Sequence, residues 1–153
     1  MKQEGMVHAL EEIHRVLRPG GRLIDIHPAL EVPLIKVLQG GRVLFAEPDP
    51  DFDTYREDVR QAEAALALVI QRGLFVIERS AEFDSSKYAS SVAELLESNA
   101  KTGAYDDRPS DEAVEAREAE LYARAGQVMQ AAGEGAQIAI HERGHIARLK
   151  PFR

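Results

Sequence analysis

The sequence predicts an α/β fold, formed by a single domain that spans residues 1–153. Two amphipathic helices are predicted at residues 5–17 and 54–72, where apolar residues recur at helical spacing. Each helix is followed by a short apolar run of the kind that forms buried strands, at residues 22–26 and 74–77. Helices that alternate with strands indicate an α/β sheet. The nearly continuous apolar character of the first strand favours parallel neighbours and two covered faces.

The composition excludes several classes of function. Hydrophobic residues make up 44% of the chain and charged residues 29%, which is typical of a globular protein. A formal net charge of -7 argues against a nucleic-acid or anionic-membrane partner. The absence of cysteine excludes disulfides, thiolate metal sites and a cysteine nucleophile. Because the chain has no signal-peptide pattern and no apolar run of about 18 residues, we expect a cytoplasmic protein.

The first predicted helix ends at a forced turn. Residues 5–17 place apolar side chains on one helical face. Pro19 cannot continue the helix, and Gly20 and Gly21 allow the positive φ of a tight turn. Residues 22–27 then form the first strand.

The middle of the chain predicts a hairpin and the clearest helix. Residues 32–46 form two short apolar runs around the Gly-Gly pair at residues 40–41, which is a hairpin signal. Thr54 and Glu57 match a capping box, so a helix should begin there. Gly73 should end this helix.

The remaining elements are predicted from caps and apolar spacing. A strand runs from residue 74 to about residue 83, and Ser91 caps a short helix. Residues 101–109 have the composition of a surface linker, and Ser110 caps a long helix. Two further short strands flank a turn, at residues 138–140 and 145–149.

The run RVLRPGG at residues 15–21, between a helix and an apolar strand, carries a family resemblance. It resembles the segment that leads into the fifth strand of class I S-adenosylmethionine-dependent methyltransferases. Residues 73–75 are similar to the step into the family's sixth strand, and residues 149–151 to the end of its seventh. The resemblance implies a partial Rossmann-like fold, with strands corresponding to 5, 6 and 7 plus a β-hairpin, flanked by helices. It covers only the C-terminal half of the family's domain, in which the seventh strand lies antiparallel between the fifth and sixth.

The resemblance implies a methyltransferase that uses S-adenosylmethionine and acts on a small molecule. The family binds its cofactor at a glycine-rich turn that follows a strand and opens a helix. No glycine pair of this sequence has that context, so no cofactor-binding and no catalytic residue is assigned, and cofactor binding by this chain alone is not expected. The alternative function is a non-catalytic remnant or assembly module.

The same resemblance predicts a partner. Without its usual fourth-strand neighbour, the first strand would leave an apolar edge with unpaired backbone groups. We therefore expect a homo-oligomer or a separate N-terminal half at this edge, unless helix 5–17 or the hairpin at residues 32–46 covers it.

Two polar residues of the first strand are candidates for a site. His27 lies at its C-terminal end, where open α/β sheets bind ligands, and is the candidate substrate-binding residue. The alternative is a partly solvated residue at a strand end. Asp25 interrupts the apolar strand, and we expect it to pair with an arginine or to lie at a solvated edge rather than in a crevice.

No metal ligand is assigned from the sequence. The acidic residues 47–53 lack the spacing and glycine of a calcium loop. His141 to His145 spell HExxH, but a zinc hydrolase needs this motif on a helix. A strand, turn and second strand are predicted here instead, so the zinc hydrolase is only a distant third hypothesis.

Overall fold

A computed structural model describes residues 2–104 and 108–153 of the chain. The predicted linker at residues 101–109 is only partly covered, because residues 105–107 lie outside the described part. The described residues form four helices and five strands, in the order α1 (Lys2–Val16), β1 (Leu23–Pro28), β2 (Leu34–Gln39), β3 (Arg42–Pro48), α2 (Phe52–Gln71), β4 (Phe75–Ala89), α3 (Val92–Gly103), α4 (Glu112–Ala132) and β5 (Ala136–Pro151).

The strands form one antiparallel sheet, so the α/β class is confirmed and the parallel neighbour predicted for β1 is wrong. The sheet order is β1-β5-β2-β3, and β4 also pairs with β5. β5 runs antiparallel to both β1 and β2. The two-sided burial predicted for β1 is also wrong, because its outer residues Ile24 and Ile26 are 51% and 62% exposed. Because Ile24 and Ile26 are apolar although they face solvent, a strand with one buried face has the sequence pattern of a strand that is buried on both faces.

The turn between α1 and β1 has the predicted cause. Gly20 has a φ of 82°, which lies in the region that glycine adopts without steric cost. The backbone N–H of Gly21 donates to the carbonyl oxygen of Arg18 over 2.9 Å and closes the turn. The helix ends at Val16, three residues before Pro19, in line with the restriction that a proline places on the residue before it.

The hairpin predicted at residues 32–46 is confirmed as β2 and β3. Gly40 and Gly41 form the two-residue connection, with φ values of 58° and 77°. Positive φ at both positions is the signature of a type I′ turn, whose twist matches that of the flanking strands. β2 pairs with β5, so the hairpin is not the cover that was considered for the edge of β1.

Two helix starts differ from prediction, and one predicted cap is confirmed. α2 begins at Phe52 rather than at Thr54, and the Thr54 hydroxyl donates to the Asp51 carboxylate over 2.9 Å. Ser91 caps α3 as predicted, accepting a hydrogen bond from the Glu94 N–H over 3.1 Å. α4 is capped by Asp111 rather than by Ser110.

The last two strands are longer than predicted. β4 continues to Ala89, beyond the expected end near residue 83. β5 is one strand from Ala136 to Pro151, where two short strands and a turn were expected.

The described residues divide into two compact units. The first unit comprises the described residues up to 30 together with residues 55–84 and 143–153, and the second comprises those of 31–54 and 85–142. The single-domain prediction stays a prediction. Across the described part of the chain, no helix combines the length and the apolarity that a membrane span requires.

Each unit has its own apolar core. In the first unit, residues of α1 and α2 pack against β4 and β5, with buried side chains at Val7, Ala65, Leu66, Val69, Phe75, Ala147 and Leu149. In the second unit, residues of α3 and α4 pack against β2 and β5, with buried side chains at Ile35, Val37, Ala89, Leu95, Leu121, Tyr122, Ala125 and Ile138. Val128 and Met129 of α4 are partly buried against the second core.

Candidate functional site

The candidate site lies on the inner face of β1. Residues alternate along this strand, so that Leu23, Asp25 and His27 are half-buried while the residues between them are exposed. The strand register sets Leu23 opposite Leu149 and Asp25 opposite Ala147, and both partners on β5 are buried. The inner face of β1 thus begins in the core of the first unit and becomes polar toward its C-terminal end.

A second histidine is brought to this face by β5. His27 is directly opposite His145 in the antiparallel register, and their ring centroids lie 5.1 Å apart with the planes tilted by 40°. The Nδ1 atom of His145 is buried and has no hydrogen-bond partner among the described residues. A buried ring nitrogen without a partner is uncommon, because desolvation of a polar atom is costly unless a hydrogen bond or a ligand replaces water.

Asp25 holds the ring of His27. Its Oδ2 atom lies 2.6 Å from the His27 Nδ1 atom, and the two side chains are 25% and 13% exposed. When Nδ1 carries the proton that it donates to Asp25, the lone pair of the neutral ring is on Nε2. Nε2 lies 3.5 Å from Oε1 of Glu63, a residue of α2. Two carboxylates thus flank the two nitrogens of one imidazole.

This arrangement brings together donors of the kind that bind protons or metal ions. Asp25, His27 and His145 each offer one ligand atom, and these atoms all lie within 4.8 Å of one another. Imidazole and carboxylate groups are the common ligands of zinc and similar ions. The partner of Asp25 is His27 on the same strand rather than the arginine considered from the sequence, and the alternative of a solvated edge stays open, since Asp25 lies on an edge strand. The substrate-binding role of His27 stays a prediction.

The acidic residues between positions 47 and 53 do not form a comparable cluster. Three of them pair with arginines of the second unit: Glu47 with Arg124 at 3.2 Å, Asp53 with Arg117 at 3.1 Å and Asp51 with Arg108 at 3.8 Å. Such partly exposed pairs are typical of a solvated, structural surface.

Two other carboxyl groups of the second unit are perturbed by burial. Burial raises the pKa of Asp49 to about 6, and the nearby charges of Asp51 and Glu142 add to this effect. Burial likewise raises the pKa of Glu118 to about 7, with Asp51 and Asp49 contributing. Both carboxyl groups therefore hold their protons to a higher pH in the folded chain than an exposed carboxyl group does.

The HExxH letters lie on a strand. His141 and His145 both belong to β5, and the ring of His141 is hydrogen-bonded through Nδ1 to the Ser86 hydroxyl over 2.8 Å. The one-turn helical separation that places the two histidines of a zinc hydrolase on one ion is therefore absent from these residues. His145 is instead combined with residues from β1.

Sequence reasoning missed Glu63 and considered His145 only as part of the HExxH letters, without assigning it to a site. The only local signal was the pair Asp25 and His27, which at a spacing of two must face the same side of a strand. Their approach to His145 depends on the strand register, and that of Glu63 depends on the packing of α2.

No family model matches this chain, and no curated protein or solved structure matches it either.

Proposed function

We propose that this chain is a methyltransferase-like protein of the small-molecule type, in which the first unit supplies the substrate side of the domain. The observation that carries the proposal is that β5 pairs with both β1 and β4. The resemblance implies the same two neighbours for the family's seventh strand, which lies between the fifth and the sixth.

Strand directions add support. β5 is antiparallel to β1. Along β5 and β4 the ion pairs run in opposite order, from Arg143 with Glu82 at 3.4 Å to Arg148 with Glu78 at 3.1 Å. β4 is therefore also antiparallel to β5, and β1 and β4 run in the same direction. These directions support the proposal of a partial Rossmann-like methyltransferase fold.

The described residues do not fit the cofactor. Gly20 precedes β1, Gly41 lies in a hairpin, and Gly133 and Gly135 follow a helix. In none of these places does a glycine-rich turn lead from a strand into a helix, which is what the binding of S-adenosylmethionine by this family requires. The elements that hold the cofactor are therefore proposed to belong to the separate N-terminal half. The substrate side is proposed to include His27.

Calorimetric titration of S-adenosylhomocysteine tests this division. The 153-residue chain alone should give no micromolar binding. A chimera that joins the first four strands of a class I methyltransferase to this chain should bind with a micromolar Kd, at least tenfold tighter than those four strands alone. A folded chimera that binds no better than its N-terminal part would overturn the proposal. Binding by the chain alone would contradict the statement that the described residues do not fit the cofactor.

The alternative function, an assembly module, is favoured by the edge of β1. In the described sheet, β1 pairs with β5 on one side and with no other strand. Its outer face exposes Ile24 and Ile26, and an exposed apolar edge strand is a template for pairing with another chain. We propose that a second copy of this chain is the partner if the methyltransferase proposal fails.

Light scattering over a range of concentrations tests self-association. Ile26→Lys should convert a dimer into a monomer, because a charge on an edge strand opposes pairing. Val43→Lys is a matched control, since Val43 is an exposed β-branched residue on β3 in the second unit. A monomeric wild type at high concentration, or equal loss of the dimer in both variants, would contradict an interface at β1.

A further inference from the structure

We infer that Asp25, His27 and His145 form a binding site for one divalent transition-metal ion of the zinc class. The set contains two imidazoles and one carboxylate, contributed by two neighbouring strands. Two histidines and one carboxylate with open positions form a common protein site for zinc or ferrous iron. Thiolates are absent from the chain, so the site selects ions that accept nitrogen and oxygen ligands.

The backbone already holds two of the three ligands in register. His27 and His145 are cross-strand neighbours, and Asp25 lies two residues before His27 on the same face. Directly opposed residues in antiparallel strands have Cβ atoms about 5 Å apart. Rotation of the side chains is therefore enough to bring the rings to one ion, and the strands need not separate.

The distances are close to those of a coordinated ion. Two ligand atoms at about 2.0 to 2.1 Å from one tetrahedral zinc ion lie about 3.4 Å apart. The three ligand atoms of the cluster lie within 4.8 Å of one another, so movements of about 1 Å bring them to that separation. Glu63 faces the other ring nitrogen of His27, at 3.5 Å from Nε2, and is not one of the three ligands.

The hydrogen bonding of the cluster also points to an ion. His145 has a buried Nδ1 atom with no hydrogen-bond partner in the described residues, and coordination through this nitrogen would supply one. Asp25 Oδ2 and His27 Nδ1 lie 2.6 Å apart, so Asp25 orients the ring of His27 in the free protein. Binding of one ion by both residues displaces the proton between these two atoms, because metal ligands must be deprotonated.

The test is calorimetric titration of ZnCl2 into the full chain after removal of trace metal with a chelator. We expect one ion per chain with a micromolar or tighter Kd. His145→Gln and His27→Gln should each weaken binding at least tenfold, because each removes one of three ligands. His8→Gln is the matched control, since His8 is an exposed residue of α1, and its affinity should equal that of the wild type.

A further control addresses the HExxH letters. His141→Gln removes the histidine four residues before His145, which is hydrogen-bonded to Ser86 and lies outside the cluster. This variant should keep wild-type affinity. No binding by the folded wild type, unchanged binding in folded His145→Gln, or equal losses in the control variants would each overturn the site.

A measurement on the wild type avoids dependence on the folding of variants. The chain has five histidines, whose ring protons can be followed by NMR during addition of ZnCl2. The signals of His27 and His145 should shift together and saturate at one equivalent, while those of His8, His14 and His141 stay in place. Shifts confined to the other three histidines would refute the site. Because no titration contains S-adenosylhomocysteine, failure of this inference is separable from failure of the methyltransferase proposal.

Discussion

Asp49 should make the protein less stable at neutral pH than in weak acid. Burial raises its pKa from 3.8 to about 6, so the folded state holds the proton more tightly than the unfolded chain does. The resulting stabilisation is complete below about pH 4 and is lost as the pH rises through about 6. Above that range the folded protein must keep a half-buried carboxylate charged.

The magnitude follows from the two pKa values. The difference between 3.8 and about 6 corresponds to about 3 kcal/mol of unfolding free energy. Asp49→Asn removes this ionisation, and its amide oxygen still accepts the hydrogen bond that the Asp51 N–H now donates over 3.1 Å. We therefore expect the variant to exceed the wild type by about 3 kcal/mol near pH 7.5 and to equal it near pH 4.

Urea unfolding followed by circular dichroism, repeated between about pH 4 and pH 8, measures this difference. Glu120→Gln is the control for loss of a carboxylate, because Glu120 is exposed on α4, two residues from Glu118. Its pH profile should match that of the wild type. The reasoning is refuted if Asp49→Asn shows the wild-type loss of stability with rising pH, or if it is the less stable protein near pH 7.5.

Three further substitutions test packing and capping by the same urea assay. In Gly144→Ala the new Cβ would lie 2.3 Å from the ring of Phe83, so the ring must move and the free energy of unfolding should fall by about 1 to 3 kcal/mol. In the background of Phe83→Ala the same substitution should cost less, and an equal cost in both backgrounds would contradict the clash. Leu149→Ala empties a fully buried position in the core of the first unit and should cost about 2 to 5 kcal/mol, whereas a loss below 1 kcal/mol would place Leu149 outside that core. Ser91→Ala removes the side-chain acceptor of the Glu94 N–H and should cost about 1 kcal/mol, while an unchanged midpoint would exclude the cap.

Local elements were predictable from sequence where one residue determines the backbone. Gly40 and Gly41 both take positive φ, and this alone fixes a hairpin with a two-residue loop. Gly73, with a φ of 75°, ends α2 as expected. The start of α2 was less predictable, because Thr54 and Glu57 match a capping box although the helix already begins two residues earlier, at Phe52.

Strand pairing was less accessible to sequence reasoning. An apolar run such as that around Ile24 and Ile26 is equally consistent with a buried parallel strand and with a one-sided strand whose outer face is exposed. The candidate site could not be predicted for the same reason, because His27 forms a cluster only with His145, which strand pairing sets opposite to it. Register is a long-range property that the local pattern of residues 22–27 does not encode.

The pairing of β1 with β5 has a consequence for how the chain folds. Leu23 and Leu149 are register partners although 126 positions separate them, whereas Gln39 and Arg42 of the hairpin are almost adjacent. Closing a longer loop costs more chain entropy, and distant strand pairings slow folding. The hairpin should therefore form early, in microseconds. During synthesis on the ribosome, β1 is made long before its partner β5, so its backbone groups cannot form this pairing until β5 has been synthesised. Unpaired strand edges promote aggregation, so the nascent chain is vulnerable to aggregation during this interval.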